Sequence, residues 1–390
     1  MSDSPHIMAG VYIHIPFCRQ PCHYCNFHFM ASTRDKDAYL LALHREMELQ
    51  RTFFDRHQHH IAPSGIQTLY IGGGTPSVLS AGELSEVFQA FDRNFSLEGI
   101  REVTLETNPD DLNPKKLKEL RNLPVNRLSI GVQSFWPDDL QYMNRAHSPS
   151  RAWKSIQEAR EAGFENISVD LIYGTPGLTD ENWENNLHRV AMDGIPHISA
   201  YALTVEPRTP LAYLIRKGKA KTVSEEQSAR QFGMMKDVLE AYGYRHYEVS
   251  NFSFPGKESG HNIAYWTGQP YLGLGSSAHS FIPGKRFWNI SSVSQYIAAI
   301  SQGLVPAEEE TLDLSQIVNE YIMTSLRTVW GCDLKYIDHL GGAKYLGSLK
   351  KRAEIHLRRG VLFWKDDHIL VLGKKGLFFA DGIAADLFVE

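Results

Sequence analysis

Apolar positions along the chain follow two alternating rhythms. Short runs rich in β-branched residues recur six times: "VYIHI" (11–15), "TLYIGG" (68–73), "EVTLET" (102–107), "RLSIGV" (127–132), "ISVDLIYG" (167–174) and "ISAYALT" (198–204). Runs of this length and composition read as buried strands. Between them the spacing changes to three and four. In "SAGELSEVFQAFDRNF", Leu84, Val87, Phe88 and Phe91 share one face of a predicted helix. "DKDAYLLALHREMELQRTFF" and "SRAWKSIQEAREAG" read the same way, the second ending at a glycine stop. Strands alternating with helices imply a parallel sheet with right-handed crossovers, either open and doubly wound or curled toward a barrel.

Polar residues choose between these. A cysteine loop follows the first run, Gly72–Gly74 end the second, and Glu106 lies at the end of the third. Gln133 follows the fourth, Asp170 sits within the fifth, and Thr204 closes the sixth. A barrel gathers the C-terminal ends of its strands at one mouth, whereas an open sheet concentrates its chemistry at one switch point. The pattern therefore predicts an α/β fold, a partial (β/α)6 barrel of the TIM type over residues 1–225. A long helix, "SEEQSARQFGMMKDVLEAYGY", leads into a region rich in Tyr, Trp and His (244–290), and an extension of the barrel is expected over 226–305. The polar stretch "GLVPAEEETLDL" (303–314) reads as a boundary. Helices at 315–328, 334–339 and 343–358, then two strands around the turn Lys365-Asp366-Asp367, predict a winged-helix-like domain over 306–390.

Composition narrows the class. A chain of 390 residues exceeds one ordinary domain, and 43% apolar with 22% charged residues is a globular balance. The net charge of -5 gives no reason to expect a nucleic-acid partner, and the basic "LKKRAEIHLRRG" (349–360) reads as a solvated helix face. No uncharged apolar run approaches the ~18 residues of a membrane span. The opening "MSDSPHIMAG" lacks the marks of a secretion signal, so a cytoplasmic protein is expected.

Four cysteines in so long a chain do not form a disulfide framework. Three of them, Cys18, Cys22 and Cys25, fall together in "HIPFCRQPCHYCNFHF". Three thiolates spaced C-x3-C-x2-C suit a cubane iron–sulfur cluster with one iron left open. A structural zinc would need a fourth ligand from His23, His28 or Cys332. On spacing alone both readings stand.

Directly after a first strand, with Tyr24 before its last cysteine, this loop resembles that of the radical S-adenosylmethionine (radical SAM) superfamily. "YIHIPFC", "GGGTPS", "ETNP", "GVQSF", "NRAH" and "SVDLIYGTPG", in this order, resemble the oxygen-independent coproporphyrinogen III oxidase group over nearly the whole chain. The resemblance implies a 4Fe-4S cluster on Cys18, Cys22 and Cys25 whose free iron binds SAM, the source of a 5′-deoxyadenosyl radical. It implies Tyr12, Tyr24, Gly73 and Glu106 around that SAM. Gly74, Thr75, Gln133, Arg145, Asp170 and Thr204 match positions that hold a second SAM in the oxidase. Read without the resemblance, Arg145 and Asp170 make an equally good buried ion pair, and Gly72–Gly74 a tight turn.

Two departures point away from the oxidase. It carries a further cysteine two positions past the third, where this chain has Phe27, and an extension before the first strand, whereas in this chain Tyr12 comes almost at once. Phe27 is similar to the haem-trafficking, HemW-like branch of the group. "SGHNIAYW" (259–266) is the second mark of that branch: His261 as an axial haem ligand, Tyr265 and Trp266 against the macrocycle, with His279 as a second candidate ligand. The bland reading, a His-Asn turn followed by core aromatics, stands beside it. The resemblance thus implies a haem chaperone with haem as bound cargo and haemoproteins as acceptors. It also implies a reductant such as flavodoxin or ferredoxin, transient membrane encounters and a homodimer. Whether SAM is cleaved stays open; coproporphyrinogen oxidation is the alternative activity and is not expected. Cys332 reads as a small apolar core residue.

Overall fold

The computed structural model describes residues 9–57 and 65–390, so most of the opening "MSDSPHIMAG" lies outside the described residues. Six strands, β1 (Ala9–Ile15), β2 (Ile66–Gly73), β3 (Glu102–Thr107), β4 (Arg127–Gln133), β5 (Asn166–Tyr173) and β6 (His197–Ala202), pair in parallel and in chain order. This is the expected partial barrel.

Its strands are two-faced. Val11, Ile13 and Ile15, Leu69 and Ile71, Leu128, Ile130 and Val132, and Val169 and Leu171 are buried in the main hydrophobic core. The alternate positions point the other way, as the period of two requires. Tyr70, Glu106, Arg127, Ser129, Asp170 and Ser199 line the lumen. The outer face is covered by helices such as Ala81–Phe95, which buries Leu84, Val87, Phe88 and Phe91 as its spacing predicts. That helix starts at a reciprocal capping box between Ser80 and Glu83.

The sheet continues well past the barrel. β7 (Arg245–Glu248) and β8 (Asn251–Ser253) extend it beyond β6. β9 (Tyr271–Leu274), β10 (His279–Ile282), β11 (Lys285–Asn289) and β12 (Ala307–Thr311) extend it beyond β1, giving twelve strands. Within the polar stretch, residues 307–311 form the edge strand β12, which places Glu308, Glu309 and Glu310 opposite β11. Its charge is what an edge position favours, since it discourages further pairing. At the opposite edge the main chain of 327–329 lies against β7 and the residue after it, with Val329 N donating to Tyr247 O at 3.1 Å and Val249 N to Arg327 O at 3.0 Å.

A second core gathers Val318, Ile322, Leu326, Cys332, Leu349, Leu370 and Leu387. In this region the two predicted helices 334–339 and 343–358 are present within Leu334–Arg358, separated at Gly342, whose φ of 66° is non-helical. The predicted hairpin is present as β14 (Leu362–Lys365) and β15 (Ile369–Leu372), with β13 (Cys332–Asp333) alongside. Cys332 is buried, and burial pushes its thiol up to about 12. Among the described residues no helix is long and apolar enough to cross a membrane.

The helix Gly260–Trp266 closes the lumen at the end opposite the cysteine loop. Its first backbone N–H groups, of Gly260 and His261, donate to the Glu102 carboxylate at 2.9 and 3.1 Å. An acidic side chain at a helix start is favoured by the exposed N–H groups there.

Candidate functional site

The cysteine loop leaves β1 and returns on itself. Cys18 N donates to Met30 O at 2.9 Å and Met30 N to Pro16 O at 2.5 Å, so the two ends are clamped while the span between them arches over the barrel mouth. Cys18, Cys22 and Cys25 are free thiols on the wall of a cavity of about 690 Å³. Cys18 Sγ lies 3.3 Å from Thr75 Oγ1, and Arg145 Nη1 donates to Cys22 Sγ at 3.3 Å. Partial burial raises the thiols of Cys18 and Cys25, the latter to about 11. A metal takes them as thiolates, so loading this loop releases protons.

The histidines considered as a fourth zinc ligand are otherwise placed. His23 Nδ1 lies 3.3 Å from Tyr142 O, and the His28 ring stacks on His14. Cys332 belongs to the other core. Among the described residues no three His, Cys, Asp or Glu side chains are grouped to hold a single ion. A cubane, whose three cysteines hold three different irons, needs no such grouping around one ion.

Glu106 lies deeper. Its carboxylate accepts from Tyr70 OH at 2.8 Å and from Gly73 N at 3.1 Å. Burial raises its pKa to about 7 against these hydrogen bonds, with the charge of Asp170 adding to the rise. Gly73 can present its N–H only because it is glycine: φ is +112°, and a Cβ would come within 2.6 Å of the His14 ring. Gln133 adopts φ 66° after a register shift between Gly131 and Gln133, which turns its side chain to the cavity.

Arg145 and Asp170 do not form the ion pair that was one reading of the sequence. Arg145 turns to the cysteine loop, donating to Asn108 Oδ1 at 2.6 Å and Gly131 O at 2.7 Å besides Cys22. Asp170 accepts from Ser129 Oγ at 3.1 Å instead. A guanidinium with carbonyl and amide acceptors already in reach gains little by crossing the lumen.

One cavity thus collects Cys18, Cys22, Cys25, Tyr24, Gly73, Gly74, Thr75, Glu106, Gln133, Arg145, Asp170 and Thr204. Tyr12 is not on its wall; it stacks on Tyr70 with centroids 6.1 Å apart, its OH 3.1 Å from His14 Nδ1. The sequence reading missed Tyr70, Asn108, Arg127 and Ser129, as well as Arg327, Phe378 and Asp381 from the C-terminal region. Strict alternation along β2 and β4 would have found Tyr70, Arg127 and Ser129; nothing local marks the others.

Residues 12–190 match the family model of the radical SAM superfamily. A protein of Mycobacterium tuberculosis named "Heme chaperone HemW" is 34% identical over 97% of this chain and 94% of its own length. One of the same name in Bacillus subtilis is 37% identical over 84% of this chain and 86% of its own length. The chain belongs to the HemW family of radical SAM proteins. Its fold also matches that of coproporphyrinogen III oxidase (HemN) from Escherichia coli, with a TM-score of 0.82 at 24% identity, over 98% of this chain and 90% of that one.

In this HemW-family chain the "HNIAYW" helix is a plug at the barrel floor. His261 is 2% exposed, with Nδ1 2.8 Å from Thr68 Oγ1 and Nε2 3.0 Å from Tyr265 OH, so both ring nitrogens are engaged. Its ring stacks on Tyr70, and burial lowers its pKa to about 3. Tyr265 packs edge-on against Tyr271, and the Arg327 guanidinium covers the Trp266 ring at 4.9 Å. His279 is exposed on β10, beside Trp288 across the strand pair.

Proposed function

We propose that this protein is a haem chaperone. It holds a 4Fe-4S cluster on Cys18, Cys22 and Cys25, keeps SAM at the barrel mouth, binds haem, and passes it to acceptor haemoproteins. The observation that carries this reading is the three-thiol loop opening on the cavity, in a chain that aligns almost end to end with relatives named heme chaperones. Bound there, cluster and SAM supply one-electron chemistry. The residues around them have distinct tasks. Tyr24 and Gly73 border the cofactor space, and the Glu106 carboxylate offers an acceptor to an ammonium group. Arg145 supplies positive charge beside the Cys22 sulfur. Thr75, Gly74, Gln133, Asp170 and Thr204 complete the wall of the same space. A reductant of the flavodoxin or ferredoxin type and a cytoplasmic setting belong to this reading, as does the division into units 1–225, 226–305 and 306–390.

His261 serves as a haem ligand only when the helix Gly260–Trp266 lifts and releases Thr68 or Tyr265. Anaerobic reconstitution followed by parallel measurement of 5′-deoxyadenosine release and haem uptake tests the whole. The expected result is a Soret band on haem titration and no protoporphyrinogen from coproporphyrinogen. Robust protoporphyrinogen formation would move the chain to the oxidase reading. A haem spectrum and affinity unchanged in His261→Ala would remove that residue from the haem site while leaving the chaperone reading intact.

A further inference from the structure

Arg127 opens β4 and turns into the lumen on the same face as Ser129. It is 2% exposed and lines the cavity, yet among the described residues its guanidinium has no hydrogen bond or ion pair, and its Nε is left without a partner. A guanidinium carries five donors and stays charged in proteins, and burying it uncompensated is costly.

The carboxylates that feel its charge are committed elsewhere. Glu106 accepts from Tyr70 OH and Gly73 N, and Asp170 accepts from Ser129. Both are drawn toward ionisation by Arg127 without touching it. A buried cation facing an opening, its protein neighbours already engaged, has the makings of an anion site. The planar fork of arginine matches a carboxylate in two parallel hydrogen bonds. With Glu106 and Asp170 in the same lumen, a singly charged group is better tolerated than a phosphate dianion.

We propose that Arg127 anchors a carboxylate of a ligand entering from the barrel mouth. Two ligands bring that chemistry: a tetrapyrrole through a propionate arm, or an amino-acid-bearing cofactor bound in addition to the one at the cluster. The inference goes beyond the chaperone reading and rests on it only for the choice of probes.

The test uses the full-length, anaerobically reconstituted protein and Arg127→Met, which keeps the length of the side chain and removes its charge and donors. Haem, haem dimethyl ester and SAM are the probes, with SAM equivalents per cluster counted by equilibrium dialysis. Arg127→Met is expected to keep its iron and melt no lower than the parent, because an unpaired buried charge has been removed. A loss of roughly tenfold to a hundredfold in haem affinity, absent for the diester, identifies a propionate. Loss of a SAM equivalent beyond one per cluster, with haem binding intact, identifies the amino-acid carboxylate. Equal weakening of haem and its diester overturns the proposal, as does ligand binding unchanged on both arms. A variant that fails to fold or loses its iron makes Arg127 a structural cation and overturns it too. If the parent binds no haem, the chaperone reading falls while the SAM arm still decides this one; if it also binds no second SAM, both fall.

Discussion

The two ends of the barrel lumen are built on opposite principles. At the mouth, three thiols and the side chains of Gln133 and Thr204 face a cavity. At the floor, His261, Thr68, Tyr265 and Glu102 form a closed set of hydrogen bonds on a helix that shuts the lumen. Polar residues are frequent at both ends, so polarity alone does not mark a site. What separates them is whether donors and acceptors satisfy each other. Within this floor set they do, so removing one partner should cost stability; at the mouth they line an open cavity, so removing one should leave the fold intact.

The strongest way to break this contrast is Cys22→Ser. It should abolish the brown absorbance of anaerobically reconstituted protein while leaving the apo fold intact by circular dichroism. A full iron complement in the variant would refute the mouth as a cluster site. Next comes Thr68→Val at the floor, which strands His261 Nδ1. Urea unfolding should show a loss of about 1–3 kcal/mol with no change in iron content; a variant as stable as the parent would mean that the floor is not a closed set.

The pH dependence should also differ in sign between the ends. Glu106 has its folded pKa raised from 4.5 to about 7, so the stability it contributes is full below 4.5 and is lost as pH rises through about 7. His261 has its folded pKa lowered from 6.5 to about 3, so its contribution is full above 6.5 and is lost as pH falls through about 3. In the apoprotein Glu106→Gln should flatten the loss of stability between pH 4.5 and 7. A profile in that window identical to the parent's would mean that the carboxyl is solvated rather than buried. The smallest effect is expected for Phe27→Ala. Its ring is 71% exposed beside the cysteine loop, so stability should move by no more than about 0.5 kcal/mol. A larger loss would mean that this ring packs against the protein.

The six barrel strands were legible because each pairs a continuous buried face with a short polar end, and the cysteine loop because its spacing is specific. The strands that extend the same sheet past the barrel were not. β7 through β11 are three to five residues long and rich in aromatics, too short for a period to develop. β12 was hidden by its glutamates, which suit an edge but read as a linker. Of the residues assigned to the mouth, Arg145 and Asp170 reached the same cavity but not each other, because Asn108 and Ser129, which hold them, carry no signal of their own. His261 was read for its ligand chemistry. Its confinement arises from Thr68, almost two hundred residues earlier in the chain (|i−j| = 193), a contact invisible to local spacing.

The large sheet also has consequences for assembly. One margin carries three consecutive glutamates, and the other is occupied by main chain from residues 327–329. Neither border is ready to accept a strand from a second molecule. Self-association by adding strands to this sheet is disfavoured at both borders, which leaves the hydrogen-bonded ladder that frames the cavity closed on itself.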